Sequence, residues 1–289
     1  MEQQIIVQEL FTHIFSEKII SYHQLTGGDI NQVFEITTAK NQFVVKLNKA
    51  ELYPNMFEKE ARGLTLIKKS KSLTTPAVIE FGQYDDTQYL ILEKINTGKS
   101  NAKTWENFGQ KLAHLHQTTH EFFGLDESTF IGSLVQNNAP QKTWEEFLIT
   151  QRLQPMLEMA VNQGDINYVE GKKVEAVYSK INELLPHEKP SLVHGDLWSG
   201  NFLVDANTAP VLIDPAVSYG HREMDIAMMH LFGGFPKELF ESYNENFPLE
   251  KGWEKRIAFN QLYPLLVHVN LFGRSYWSKI EEIVLPFYK

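Results

Sequence analysis

The sequence predicts an α+β fold in which an antiparallel sheet comes first and a mainly helical part follows. Short apolar runs separated by turn residues occupy the first part of the chain, which is typical of strands joined by hairpins. Further along, apolar residues recur at helical spacing over long stretches. The 289 residues also exceed the usual size of a single core. We therefore predict two lobes, residues 1–95 and residues 96–289.

The composition is that of an ordinary globular protein, with 43% hydrophobic and 22% charged residues. The net charge of -9 argues against a nucleic-acid-binding surface, because such a surface needs clustered Lys and Arg. No apolar run reaches the roughly 18 residues of a membrane span, and residues 1–10 lack a secretion signal. The absence of cysteine excludes disulfides and thiolate nucleophiles. We expect a cytoplasmic protein without membrane or nucleic-acid partners, and a monomer is favoured.

The N-terminal part is predicted to begin with an amphipathic helix over residues 5–15. Five strands are predicted after it, at residues 22–25, 33–37, 43–47, 78–81 and 89–92. A helix over residues 55–69 separates the third strand from the fourth. Its inward face carries Phe57, Ala61 and Leu64.

Gly27 and Gly28 lie in the turn between the first two predicted strands. Glycine adopts backbone angles that other residues avoid, so this turn can approach phosphate groups closely and offer them its amides. A plain hairpin turn is the alternative interpretation.

Lys46 and Glu60 are the next candidates. Lys46 lies between Val45 and Leu47 on a half-buried strand, so its side chain should point to one defined face. Glu60, in the helix that follows, is the predicted partner, and Glu58 is the competing one. Such a Lys–Glu pair positions nucleotide phosphates in kinases. A lysine that faces water from an edge strand is the alternative.

Residues 93–98 turn polar and should connect the two lobes, with backbone groups near Glu93 and Ile95 as the expected adenine contacts. Helices are then predicted over residues 104–118, 143–163, 168–185 and 253–272. Pro264 should kink or break the last of them, because proline lacks the N–H that a continuous helix needs.

The most informative segment is HGDLWSGN at residues 194–201, followed by Asp214 in VLIDP. Phosphoryl transfer to a hydroxyl needs a carboxylate that orients the alcohol and accepts its proton, together with oxygen ligands for Mg2+ on the nucleotide phosphates. Asp196 is the predicted base, and Asn201 with Asp214 are the predicted ligands of Mg2+. Short apolar strands around the segment give the layout of a kinase catalytic loop, with ATP as the nucleotide. A surface turn is the alternative.

Three residues beyond this segment are candidates for supporting roles. His221 and Arg222 can line a substrate pocket, while a structural salt bridge is equally open for Arg222. Asp225 opens an apolar helix. Its carboxylate can accept backbone amides from the catalytic loop or can simply cap that helix.

These motifs resemble the fructosamine kinase family, also called ketosamine-3-kinases. The matching segments follow the family order through nearly the whole chain: GGDIN at 27–31, VVK at 44–46, MFEKEARGL at 56–64, HGDLWSGN at 194–201, LIDPAVSYGHREMDIAM at 212–228, LFGGF at 231–235 and YPLLVHVNLFG at 263–273. HGDxxxxN alone is shared with aminoglycoside phosphotransferases and choline kinases. Trp198, YGHRE and the NLFG segment single out the ketosamine kinases.

The resemblance implies a two-lobed protein-kinase-like fold and ATP-dependent phosphorylation of the sugar 3-hydroxyl in ketosamines. Ketosamines are adducts of sugars on free amines or on the lysines of glycated proteins, and the 3-phosphate decomposes to release the amine. The family pattern assigns the base, the metal ligands and the phosphate-positioning pair to the residues selected above. Trp198 is predicted to stack on the sugar or on its amine, with packing beneath the loop as the alternative. Some relatives carry a regulatory cysteine in the phosphate loop, and this chain has none.

Overall fold

The computed structural model describes residues 2–15, 17–25 and 30–288. Its N-terminal part is built on one antiparallel sheet. The helix α1 (Glu2–Phe15) precedes it. The five strands are β1 (Ile19–Leu25), β2 (Gln32–Thr38), β3 (Gln42–Lys49), β4 (Val78–Tyr84) and β5 (Thr87–Glu93). Their spatial order is β1-β2-β3-β5-β4, and α2 (Met56–Lys69) connects β3 to β4. The five predicted strands are therefore confirmed.

The two faces of this sheet bury different helices. Val45 and Ile91 pack with Phe11 of α1 on one face. Leu90 packs with Leu64 of α2 on the other. Because successive side chains of a strand alternate between faces, Lys46, next to Val45, points to the side of the sheet that α2 covers.

The C-terminal part is mainly helical. Its helices are α3 (Ala102–His116), α4 (Trp144–Phe147), α5 (Gln154–Gln163), α6 (Tyr168–Glu175), α7 (Ile181–Leu184), α8 (Glu223–Phe232), α9 (Lys237–Asn246), α10 (Trp253–Asn260), α11 (Leu262–Phe272) and α12 (Trp277–Val284). Three short antiparallel pairs accompany them: β6 (Thr129–Ile131) with β7 (Leu134–Gln136), β8 (Ser191–Val193) with β11 (Ser218–Gly220), and β9 (Phe202–Val204) with β10 (Pro210–Leu212).

Three of the predicted long helices differ in detail. The helix predicted over 143–163 contains a π-helical segment, Leu148–Leu153, just before Pro155, whose missing N–H cannot complete an α-helical turn. The helix predicted over 168–185 is wrong as a single element, because a 3-10 turn at Tyr178–Lys180 divides it. The break predicted near Pro264 is confirmed. It falls at Gln261, between α10 and α11. In a continuous helix the ring of Pro264 would clash with the carbonyl of Asn260, four residues earlier, and α10 ends at Asn260.

The connection between the two parts runs from Glu93 to Ala102. It is held on the helical side, where Gly98 N–H donates to Val204 O at 2.8 Å. The predicted division after residue 95 falls inside this connection and stays a prediction. Within the ranges described, no helix combines the length and the apolar character needed to cross a bilayer.

Candidate active site

The loop between β8 and β9 carries the HGDLWSGN segment, and a buried carboxylate fixes its start. Asp225, at the beginning of α8 and 1% exposed, accepts the His194 N–H at 2.7 Å and the Gly195 N–H at 2.9 Å. It also lies 3.2 Å from His116 Nε2. Asp225 was expected either to accept backbone amides of the loop or to cap its helix, and in the structure it accepts the loop amides.

Gly195 lets this loop cross closely over the segment after β10. Its φ is +83°, and a Cβ atom there would lie 2.2 Å from Ala216 O. Ala216 N–H donates to His194 O at 2.9 Å, so the two segments are hydrogen-bonded where they cross. A larger residue at position 195 is excluded both by its backbone angle and by contact with Ala216.

Asp196 is held by Asn201 from the same loop. Asn201 Nδ2 donates to both Asp196 O and Asp196 Oδ2 at 2.9 Å. Burial raises the pKa of Asp196 to about 7, while the hydrogen bond from Asn201 acts in the opposite direction. Because both N–H groups of the Asn201 amide face Asp196, its Oδ1 remains available for another partner.

Asp214 follows β10 in an unusual backbone conformation, with φ +54°. Aspartate tolerates this left-handed region better than most residues do. Ile213 N–H donates to Asn201 O at 3.1 Å, which places Asp214 beside the catalytic loop. The Asp214 side chain is 43% exposed and faces the cavity that also contains Asn201.

Lys46 connects the sheet with this site. Its Nζ lies 2.7 Å from Glu60 Oε1 and 2.6 Å from Asp214 Oδ1. Glu58, the competing partner, instead pairs with Arg62 on the surface at 2.6 Å. Burial alone would lower the pKa of Lys46, but Asp214 and Glu60 together raise it, so the ammonium is charged at neutral pH.

A cavity of about 550 Å³ brings these polar groups together with an aromatic wall. Its charged side chains are Lys46, Lys59, Glu60, Asp196 and Asp214. Four of its ring-bearing residues, Trp198, Phe232, His268 and Phe272, form the aromatic wall. The cavity is large enough for a small organic molecule in addition to a phosphate group.

The aromatic wall is continuous. The ring centroids are 6.0 Å apart for Trp198 and Phe232, 5.0 Å for Phe232 and His268, and 5.4 Å for His268 and Phe272. Trp198 is 38% exposed, and its indole also lies against Gly200 of the same loop, so its stacking on a substrate stays a prediction. The sequence analysis predicted the helix that carries His268 but did not select His268 as a site residue. The only available signal was a polar residue in an apolar helical run.

His221 and Arg222 were expected to line a substrate pocket but do not line this cavity, and for Arg222 the structure has the alternative, a structural salt bridge. Both are buried, at 0% and 2% exposure. Arg222 NH2 lies 2.6 Å from Glu188 Oε1, and its NH1 donates to Phe247 O at 2.7 Å. His221 Nε2 lies 3.2 Å from Pro186 O. Their hydrogen-bonding groups are directed at other segments of the chain, so their role is structural.

The structure does not decide whether the other predicted nucleotide-binding residues contact the nucleotide. Gly27 and Gly28 lie outside the described residues. Glu93 ends β5, and its Oε2 accepts the Ala77 N–H at 3.1 Å. Neither Glu93 nor Ile95 borders the cavity that contains Asp196, so their adenine contacts stay a prediction.

The donor set suits Mg2+ bound mainly through a nucleotide. In the described ranges, no group of three or more His, Asp or Glu side chains is placed to hold a metal. Asn201 offers an amide oxygen and Asp214 a carboxylate, both on the cavity wall. Mg2+ commonly takes one or two protein oxygens and completes its shell with phosphates and water, so these residues fit that ion.

The fold and this site define a phosphotransferase of the protein-kinase-like class. A spectinomycin phosphotransferase, solved in complex with ADP and spectinomycin, has the same fold with a TM-score of 0.62. The alignment covers 99% of this chain and 93% of that chain, at 17% identity. The model of the fructosamine kinase family matches residues 1–287. The chain therefore belongs to the fructosamine kinase family and is a kinase of that family.

Individual relatives agree with this assignment. A probable ketoamine kinase of Enterococcus faecium is 37% identical over 265 residues, which cover 91% of this chain and 94% of the relative. One from Lactiplantibacillus plantarum is 36% identical, over 91% and 92%. The crystal structure of a Thermobifida fusca protein proposed to be a fructosamine-3-kinase matches with a TM-score of 0.87 and 32% identity. That match covers 96% of this chain and 97% of the other.

Proposed function

We propose that this kinase transfers the terminal phosphate of ATP to the 3-hydroxyl of ketosamines. The observation that carries the proposal is one cavity shared by Asp196, Asn201, Asp214 and an aromatic wall. The first three are the side chains that phosphoryl transfer to an alcohol needs. The wall suits a sugar, because sugar rings present apolar faces that stack on aromatic side chains.

Asp196 acts as the base in this proposal. Its Oδ2 accepts a hydrogen bond from Asn201, so the other carboxylate oxygen is available to the acceptor alcohol. The alcohol oxygen forms a bond to the γ-phosphorus while the bond to the ADP oxygen breaks, and its proton passes to Asp196. The transition state is loose, so Asp196 mainly orients the hydroxyl and takes the proton late.

Lys46 and Glu60 position the nucleotide. Glu60 holds the Lys46 ammonium at 2.7 Å, on the sheet face that looks toward Asp214. There the ammonium can bind the α- and β-phosphates. Asn201 and Asp214 would hold Mg2+, whose charge offsets that of the phosphates. The phosphate contacts predicted for Gly27 and Gly28 are part of the proposal by sequence alone.

Two observations support a ketosamine as the acceptor, namely the aromatic wall of the cavity and membership of the fructosamine kinase family. Trp198 and the rest of the aromatic wall can stack on the sugar and can attract the protonated amine through cation–π contact. A ketosamine 3-phosphate decomposes and releases its amine, so the reaction would be the first step of deglycation. Sugar adducts of small free amines and glycated proteins are both candidate acceptors, because each presents the same ketosamine group.

The proposal is tested by an acceptor screen in which ATP consumption and product mass are measured together. The panel holds ribulosamine and fructosamine adducts of small amines, a glycated protein, an aminoglycoside and choline. We expect an 80 Da gain on the ketosamines, with release of the amine on warming, and no gain on the last two (the 80 Da being about the mass of one phosphoryl group). Phosphorylation of the aminoglycoside or choline alone would refute the ketosamine assignment and leave an alcohol kinase of another specificity.

A further inference from the structure

A buried polar network lies behind the cavity and includes one residue of the cavity lining. Thr129, at the start of β6, lines the cavity that contains Asp196 and is only 4% exposed. Its Oγ1 accepts hydrogen bonds from Gln136 Nε2 at 2.9 Å and from Asn138 Nδ2 at 3.0 Å. Both amide side chains are 2% exposed and are absent from the cavity wall, so they approach Thr129 from the interior.

The orientation of the Asn138 amide is fixed by its other partners. Its Oδ1 faces Arg152 NH2 at 2.7 Å, and a guanidinium can only donate. The nitrogen of the amide must therefore face the other way, where it donates to Thr129 and to Glu127 O at 3.0 Å. The Glu127 carbonyl, which can only accept, and the Arg152 guanidinium, which can only donate, both fix the Asn138 amide with its nitrogen toward Thr129.

The Gln136 amide is fixed in the same manner by groups around it. Its Nε2 lies 3.1 Å from Ala216 O, and a backbone carbonyl can only accept. Its Oε1 accepts from the hydroxyl of Tyr263 at 2.7 Å. Both N–H groups of this amide are therefore committed, one to Ala216 and one to Thr129.

A threonine hydroxyl has two acceptor sites and one proton to donate. In Thr129 both acceptor sites are occupied, so the hydroxyl can act toward a further partner only as a donor. Among the described residues no atom accepts this proton. We propose that Thr129 is a specificity-determining residue, whose hydroxyl donates a hydrogen bond to an oxygen of the acceptor sugar.

Arg152 supports this network from the interior. It is 4% exposed in the π-helical segment, and no carboxylate pairs with it in the part of the chain that the structure describes. Its guanidinium lies 4.5 Å from the ring centroid of Phe147 and donates to Gln151 O at 3.0 Å and Ser218 Oγ at 3.2 Å. A buried cation without a counter-ion is costly. These neutral acceptors offset part of that cost, and Asn138 Oδ1 is a further one.

The chemistry of the partner follows from the network. The ligand atom must accept a hydrogen bond, so it is a hydroxyl, ring or carbonyl oxygen of the acceptor, while a protonated amine is excluded at this position. The inference rests on the proposed function in one respect only, namely that the acceptor molecule occupies this cavity.

The test compares Thr129→Val, which keeps the shape and removes the hydroxyl, with Thr129→Ser, which keeps the hydroxyl. For Thr129→Val we expect kcat/KM for the acceptor to fall about tenfold, mainly through KM, with the Kd of ATP within about twofold of wild type. Thr129→Ser should restore most of the loss. The matched control is Thr12→Val, because Thr12 is a surface threonine of α1 whose hydroxyl donates to Gln8 O. Unchanged acceptor kinetics in folded Thr129→Val would overturn the proposal.

A merely structural role is separated by the binding of ATP. Thr129→Val leaves the Gln136 and Asn138 amide N–H groups without their acceptor, so a lower melting temperature is expected whether the role is structural or functional. If Thr129→Val weakened ATP binding and acceptor use equally, the network would be structural and the proposal wrong.

The acceptor in these assays is whichever member of the screening panel the wild type phosphorylates. If that molecule is an aminoglycoside or choline, the ketosamine assignment fails while the comparison of valine with serine at position 129 is still made.

Discussion

At the scale of single residues, the site depends on a few side chains whose neighbours leave them little freedom. Asn201 uses both amide N–H groups on Asp196, and this fixes the direction of its own oxygen. Lys46 contacts Glu60 and Asp214 at once, so one ammonium links the sheet to the segment after β10. Substitutions at these positions should therefore change chemistry or nucleotide binding before they change the fold.

Asp196→Asn should lower kcat by about 100-fold or more, because the amide keeps the shape of the carboxylate but cannot accept the alcohol proton. The hydrogen bond from Asn201 can persist, since the new side chain retains an acceptor oxygen. Steady-state kinetics measure the loss, and binding of a fluorescent ATP analogue is expected to be unchanged. A purified, folded variant with near-normal turnover would show that Asp196 is not the base.

Lys46→Met should raise the KM for ATP by about tenfold or more, because a charge-assisted contact to the phosphates is lost. Circular dichroism should report an intact fold. Lys40→Met removes an exposed lysine that pairs with Glu17 at 3.5 Å, and it serves as the matched control. An unchanged ATP dependence in the Lys46 variant would remove this lysine from the nucleotide site.

At the scale of elements, buried ion pairs hold the segments behind the site together. Arg222, which precedes α8, binds Glu188 and two carbonyl oxygens after α9. Its ring contact with Phe247, at 3.7 Å from the guanidinium carbon, closes the same arrangement. This pair holds the residue just before α8, the helix that carries Asp225.

Glu188→Ala should lower the free energy of unfolding by about 3 kcal/mol, because it leaves the buried charge of Arg222 without a carboxylate. Urea denaturation followed by circular dichroism measures this. Glu58→Ala removes the exposed partner of Arg62 and should cost less than about 1 kcal/mol. Equal effects of the two substitutions would contradict the structural role given to Arg222.

The sequence predicts elements whose pattern is local and fails where distant segments decide. The strands of the sheet follow from alternation and turn residues, and the break before Pro264 follows from the chemistry of proline. The burial of His221 and Arg222 could not be read from YGHRE, because Glu188 and Phe247 are distant in the chain. His268 was hidden for the same reason, since its place in the aromatic wall depends on Phe232 of another helix.

At the scale of the whole molecule, the proposed nucleotide would bind both the sheet, through Lys46, and the helical part, through Asn201 and Asp214. A ligand that binds only the folded state stabilises it, by about 2.7 kcal/mol at a concentration one hundred times its Kd. We expect MgATP to raise the melting temperature by several degrees, on the order of 5 °C. EDTA should remove most of that shift. No shift in differential scanning fluorimetry at saturating MgATP would contradict the proposed site.

Asp225 and the two loop amides that it binds have a thermal consequence. The His194 amide hydrogen is buried and that of Gly195 partly buried, and both bind the buried Asp225 carboxylate, so their exchange with deuterium should require the helical part to open. The loop that carries Asp196 cannot then loosen by itself on warming. Heat inactivation should coincide with cooperative melting of the helices, and no softened but folded enzyme should precede it.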